Sequence, residues 1–181
     1  TVMYTHWGPV VYDETFHAED NLRHYAFRWL AHDKSQDVIA FYKLNRAKNH
    51  ADFIRAVDRW SGPAQNFVFA SVNGDIAIKV QGQFPVRRMN EGKFVLDGSK
   101  PEQGWMAFIP DAHNAMQKNP ERGFVSSANQ YPADKTYPYY ITATHYEAYR
   151  NRRINHVLGS KDKLTASDMI RLERDNYNLK A

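Results

Sequence analysis

Runs of apolar residues change character several times along this chain, and each change marks an element. Val38-Ile39-Ala40-Phe41-Tyr42-Lys43-Leu44 reads as a helix, with Ser35 or Asp37 as its cap. Asn49 caps a further helix whose apolar residues, Phe53, Ile54, Val57 and Trp60, are spaced by one, three and three and so share a face. Ser61-Gly62-Pro63 stops it. Two β-rich runs, Asn66–Val72 and Asp75–Val80, flank Asn73-Gly74, the strongest short hairpin signal. Shorter strands are expected at Val10-Val11-Tyr12 after a Gly8-Pro9 turn, at Tyr25–Ala31, at Trp105–Pro110 and at Phe124–Ala128. Residues 83–104 are rich in turn formers. A helix is expected near Glu147–Leu158, and Thr165-Ala166-Ser167-Asp168 resembles a capping box opening a last helix, Asp168 to about Tyr177. With neither repeats nor a low-complexity linker, the pattern predicts one α+β unit of antiparallel strands and flanking helices.

Composition narrows the function. A chain of 181 residues with 43% hydrophobic content can bury a real core. Ten Phe, eleven Tyr and four Trp suit a packed interior or an apolar pocket. The net charge of +4 is spread among interspersed acids, so no basic arm for nucleic acid is present. The absence of cysteine excludes disulfides, thiolate zinc sites and a Cys nucleophile, and leaves the compartment open. No apolar run approaches the ~20 residues of a membrane span. His17, His24 and His32 could hold zinc with Glu19 or Asp20 only if they shared a helix face. The aromatic run beside them reads as extended, which makes surface or packed histidines the expectation.

The candidate chemistry lies later. Gly123-Phe124-Val125-Ser126-Ser127-Ala128-Asn129-Gln130 delivers a carboxamide at the end of an apolar run, and Arg150-Asn151-Arg152-Arg153-Ile154 follows. An Asn N–H₂ group can donate to a developing oxyanion, and an Arg can hold that Asn in place. Taken alone, Asn129 is equally a turn residue and Arg150 equally a solvated cation. The pair would form the stabilising half of an acyl-transfer site, without its nucleophile.

Several blocks, in one order across nearly the whole chain, give those residues a context. They are His6-Trp7-Gly8-Pro9-Val10-Val11, Ala26-Phe27-Arg28-Trp29, Pro63-Ala64-Gln65-Asn66-Phe67, and Asn73-Gly74-Asp75-Ile76. Next come Gly82-Gln83-Phe84-Pro85-Val86-Arg87, Asp97-Gly98-Ser99 with Trp105, Asn119-Pro120 leading into Gly123-Phe124 and Ala128-Asn129, and Arg150 with Arg153-Ile154. Together they resemble the penicillin acylase-like N-terminal nucleophile hydrolases, which include acyl-homoserine-lactone acylases. The resemblance implies amide hydrolysis on an αββα sandwich. In that family the first residue of the long chain, usually Ser, attacks the carbonyl. Its own α-amine, with an unperturbed pKa of about 7.7–8.0, serves as base. The oxyanion is met by a backbone N–H and by an Asn matched here by Asn129, with Arg150 matching the Arg that orients it. Phe41 and Gln65 fall where the family has walls of its acyl pocket, which implies an acyl chain or aryl-acetyl group as the part recognised.

The departures are as informative. The family's nucleophile block, Ser-Asn followed shortly by Trp, is not found, and Thr1-Val2-Met3 does not begin it. The expectation is therefore an internal fragment of the long chain, with the nucleophile segment upstream and no activity by itself. Some members bind a structural calcium through an Asp between the Asn and the Arg. That stretch holds only Asp134, and Tyr140 occupies the best-aligned position, so no cofactor or metal is assigned. Trp7 interrupts the usual His-Gly pair. The resemblance implies as partners a small-molecule amide substrate, the rest of the long chain and a short chain of the same precursor, in the periplasm or outside the cell. The rival expectation is a non-catalytic module whose aromatic cleft binds a ligand or partner.

Overall fold

The computed structural model describes residues 1–12, 24–142, 144 and 147–180. Its best-formed sheet is built on the expected hairpin, β4 (Gln65–Ala70) and β5 (Ile76–Gln81), antiparallel from Gln65↔Gln81 to Ala70↔Ile76. The connection spans residues 71–75 and is longer than a two-residue turn. Ser71 N–H donates to Asp75 O (2.9 Å) and Gly74 N–H to Ser71 O (3.0 Å), with Gly74 at φ 90°, a conformation that suits a residue without Cβ. A third strand, β6 (Met116–Lys118), pairs antiparallel with the free edge of β5. Asn119 then closes back on the hairpin turn, accepting from Ile76 N–H (2.8 Å) and donating to Asp75 (2.7 Å).

Two helices, α1 (Asp37–Leu44) and α2 (His50–Val57), are linked to one face of this sheet by aromatic packing. Asn49 caps α2 as expected, accepting from Asp52 N–H (2.9 Å). On α1 the N-cap is Gln36, without a side-chain cap bond. Asp37 instead accepts from Ser61 N–H (2.7 Å) and ties α1 to the chain leaving α2. Phe53, Ala56 and Val57 are buried, and Phe53 packs on Phe69 of β4 (5.1 Å between centroids). Trp60 lies just past the helix. Its ring takes edge contacts from Phe41 (5.0 Å) and Phe67 (5.5 Å), and its Nε1–H donates to Pro63 O (2.6 Å). Since side chains alternate along a strand, Gln65, Phe67 and Phe69 share the helix side while Asn66, Val68 and Ala70 take the other. Opposite them on β5, Ala77, Lys79 and Gln81 are buried. Lys79 pairs with Asp58. Gln81 donates to Trp60 O and Asp111 (both 3.3 Å) and accepts from Asn114 (3.2 Å). Burying Lys79 and Gln81 is tolerable because both find partners, while Asn114 Oδ1 is buried with no partner among the described residues.

A second small antiparallel sheet has the order β1 (Tyr4–Thr5), β2 (Gly8–Tyr12), β3 (Tyr25–Ala26). The strand expected over Tyr25–Ala31 ends at Ala26, because Leu30–His32 forms a 3₁₀ turn. There Arg28 grips Asp33 through two bonds (2.9 and 2.8 Å) and lies 4.5 Å over Trp105. The His32 ring packs edge-on against Trp29 (5.4 Å), as a packed histidine would; His17, Glu19 and Asp20 lie outside the described residues. Trp7 has a structural task. Its Nε1–H donates to Gly98 O (2.7 Å), and a Cβ on Gly104 would overlap its ring, so it fastens the β1–β2 hairpin to the loop at 97–104. Trp105–Pro110 forms no strand, only the bridge Pro85↔Phe108, which seats buried Ile109.

The chain closes with α3 (Tyr149–Gly159) and α4 (Ala166–Glu173). The capping box is present at Thr165 and Asp168, but α4 stops at Glu173 rather than near Tyr177. Past that point Asp175 binds Arg153 of α3 (2.8 Å) and Tyr177 N–H (2.8 Å), turning the chain away from the helical path. Asp168 is a hub, accepting from Lys161 (2.6 Å), Arg171 (2.7 Å), Thr165 N–H (2.9 Å) and Thr165 Oγ1 (2.7 Å). The Lys161 ammonium first, then the Thr165 bonds, hold its carboxyl well below the usual carboxylate range. A depressed folded pKa stabilises above the unfolded value of about 3.9 and loses that effect as pH falls toward the folded value. Unfolding midpoints should therefore fall with acidification below about pH 4, and Asp168→Asn should show a smaller fall over the same range. An unchanged pH profile in that variant would remove Asp168 from the account.

Candidate active site

Phe124–Ala128 is not the strand its apolar run suggests, because no strand among the described residues pairs with it. The segment is irregular and is fastened by side chains to α3. Ser126 bonds Asn155 (2.6 Å) and Asn151 (3.2 Å), and Ala128 N–H donates to Gln130 Oε1 (2.8 Å). Asn129 follows at φ 65°, a left-handed conformation that Asn adopts more readily than most residues. Arg150 stands in the first turn of α3, and one nitrogen, Nη2, donates to Ala128 O (2.8 Å) and to Asn129 Oδ1 (3.0 Å). Helix α3 thus presents its guanidinium to both the backbone and the side chain of the loop.

This contact decides which end of the carboxamide is usable. A guanidinium has only donors, so the atom facing it must be the oxygen. Nδ2–H₂ is left as the donating end, and no described group bonds to it. Asn129 borders a cleft of about 490 Å³. Its lining includes Ala64 just before the hairpin, Asn66 and Val80 within it, and Gln130 and Thr142. Asn66 and Val80 are direct partners in the β4–β5 register and so line it from the same sheet face. A Cβ at Gly82 would stand 2.8 Å from Ala64 Cα, so glycine there keeps Ala64 at the cleft's edge.

Phe41 and Gln65 stand elsewhere. Phe41 is on α1, 53% exposed, with its ring against Trp60, and Gln65 opens β4 on the helix side. Strand alternation points Gln65 away from the face that carries Asn66, and neither residue lines the cleft beside Asn129. The calcium expectation can be tested on the residues present. Asp134 spends one oxygen on Thr136 N–H (2.8 Å) and Oγ1 (2.6 Å), and Tyr140 stands where a carboxylate would be needed. Among the described residues no group of three or more His, Cys, Asp or Glu stands together, and this donor set does not fit the ion. Sequence reasoning missed Asn66, Thr142, Ser126, Asn151 and Asn155. Only the last two carried a signal, an i,i+4 carboxamide pair beside Arg150.

The backbone superimposes on a thermostable penicillin G acylase from Alcaligenes faecalis with a TM-score of 0.68, over 96% of this chain and 30% of that one, at 20% identity. That likeness shows the fold: α+β, with helices and antiparallel sheets arranged as in that acylase. An acyl-homoserine lactone acylase, QuiP, from Pseudomonas putida is 26% identical over 149 residues, 82% of this chain and 18% of the relative. The QuiP of Pseudomonas fluorescens is 28% identical over 150 residues, 83% and 18% respectively. This chain therefore spans less than a fifth of the length of these curated relatives. The family model for penicillin amidase matches residues 1–181, all of the chain that carries the Asn129–Arg150 pair, and on that match the chain belongs to the penicillin amidase family.

Proposed function

We propose that this chain is the oxyanion-stabilising part of a longer acylase that hydrolyses linear amide C–N bonds. The observation carrying this reading is the Arg150–Asn129 bond, which fixes Oδ1 and frees Nδ2–H₂ at the edge of a cleft. In the reaction a nucleophile hydroxyl adds to the amide carbonyl, a C–O bond forms, and the carbonyl oxygen takes the negative charge. Asn129 Nδ2–H₂ donates to that oxygen, and it is already oriented, so little reorganisation opposes it. The C–N bond then breaks as the amine departs with a proton, and water cleaves the ester to release the acid. The nucleophile, its amine base and the second oxyanion donor come, in this reading, from other parts of the protein and its companion chain. Location in the periplasm or outside the cell belongs to the same proposal and rests on family resemblance.

The acyl-homoserine lactone acylases among the relatives suggest the substrates to try first. The intact protein, given N-acyl-homoserine lactones and phenylacetyl amides, should release free amine with an initial acylation burst. This chain alone should release none. A stoichiometric burst trapped on Thr1, or opening of the lactone ring in place of the amide, would overturn the reading.

The wall nearest the carbonyl is then Ala64, Asn66 and Val80, with Phe41 and Gln65 serving the helix-side layer. Asn66→Leu should raise KM for long acyl chains on the order of tenfold while leaving short ones little changed. Phe41→Ala should shift the unfolding midpoint more than it shifts acyl preference. A reversed pattern in kinetics across an acyl-length series would restore Phe41 to the pocket.

A further inference from the structure

Ser126, Asn151 and Asn155 form a closed ring of hydrogen bonds whose geometry exceeds what anchoring a loop requires. Ser126 Oγ donates to Asn155 Oδ1 (2.6 Å), Asn155 Nδ2 donates to Asn151 Oδ1 (3.0 Å), and Asn151 Nδ2 donates back to Ser126 Oγ (3.2 Å). Each member both gives and accepts, which fixes both amide orientations and polarises the ring in one sense. All three side chains are half-buried, and none lines the cleft. Asn151 and Asn155 are one turn apart on α3, and Asn151 adjoins Arg150. The same helix therefore holds the loop twice: at Ser126 through the ring, and at Ala128 and Asn129 through Arg150.

We propose that this ring is a positioning device for the oxyanion donor, so that Ser126, Asn151 and Asn155 set the rate of amide cleavage without touching substrate. The inference rests on the reading of Asn129 as that donor. Its logic is geometric. Asn129 has a left-handed backbone and, among the described residues, no strand partner; Arg150 holds only Ala128 O and the Asn129 side chain, so by itself it leaves the residues before Ala128 free to rotate. A second anchor three residues upstream removes that rotation and sets the direction in which Nδ2–H₂ points. A displacement of about 1 Å at such a group can cost on the order of 100-fold in rate.

The test uses the intact protein and a pair of nearly isosteric variants, Ser126→Thr and Ser126→Val, which differ by one hydroxyl. Ser126→Thr should keep kcat within about threefold of the parent, while Ser126→Val should lower it about 10- to 100-fold with KM within about twofold. Asn155→Ala should match Ser126→Val. Adding Ser126→Val to Asn129→Ala should lower kcat no further, since the ring acts through Asn129. Equal kcat in the Thr and Val variants, or losses that multiply with Asn129→Ala, would overturn the proposal. Should Ser126→Val fold poorly, Asn155→Ala against Asn155→Gln at matched folded concentration carries the same comparison. Full activity in Asn129→Ala by itself would instead strike the donor assignment, and the ring's role with it.

Discussion

Asn129→Ala in the intact protein is expected to lower kcat by about 10²–10³-fold, equivalent to about 2.7–4 kcal/mol of transition-state stabilisation. KM should change little, because the carboxamide meets charge that exists only once the carbonyl has been attacked. Asn129→Asp sharpens the point. It keeps the shape and strengthens the bond to Arg150, yet at neutral pH a carboxylate has no N–H to offer and sets negative charge beside the oxyanion. The aspartate variant should thus be at least as impaired as the alanine one, although its loop is held as well or better. Recovery of activity in Asn129→Asp would mean that this position serves structure and not charge. A binding module without chemistry predicts the opposite of the alanine result: ligand affinity altered or not, and no turnover to lose.

Trp60→Ala should destabilise the fold by about 3–5 kcal/mol, the usual cost of emptying a large aromatic site. Trp60 is only 8% exposed, and it joins three elements. Its ring spaces Phe41 of α1 from Phe67 of β4, its indole N–H satisfies Pro63 O, and its carbonyl accepts from buried Gln81. Alanine removes the ring contacts and the indole bond together, and Pro63 O then loses its partner. Trp60→Phe should cost less, chiefly the indole hydrogen bond at about 1 kcal/mol. Urea unfolding monitors both, and a shift in midpoint at unchanged slope would mark a loss of stability. A loss below about 1 kcal/mol for the alanine variant would show that the site collapses to fill the space, which the packed helix–sheet layer argues against. Because Ala64 follows Pro63 directly and Asn66 lies two residues further on, the same variant should loosen the cleft wall and widen acyl preference.

What the sequence revealed depended on how local the cause was. The hairpin, the Asn49 cap and the Thr165–Asp168 capping box are written in adjacent residues, and all three form, the hairpin with a longer connection than Asn73-Gly74 alone. Phe124–Ala128 and Trp105–Pro110 have the side chains of strands but no partner edge, and pairing is a property of the whole fold. Strand β6, Met-Gln-Lys, has no apolar pattern of its own and exists because β5 offers a free edge. Helix α4 ends early for a non-local reason, the Arg153–Asp175 ion pair. At the site, the family resemblance implied that Arg150 holds Asn129, and the two are bonded; that the same guanidinium also takes Ala128 O was not legible, since it needs α3 folded against the loop. Asn66 escaped notice because a polar residue inside a strand signals only a solvated face until the cleft beside it is known.

The most direct measurement is a crystal structure of the intact protein with a boronate or phosphonate that mimics the tetrahedral intermediate. The account predicts Asn129 Nδ2 at about 2.7–3.1 Å from the oxygen standing for the oxyanion, with Oδ1 still on Arg150. Nδ2 turned to solvent, or that oxygen held by other donors with Asn129 out of hydrogen-bonding reach, would contradict it.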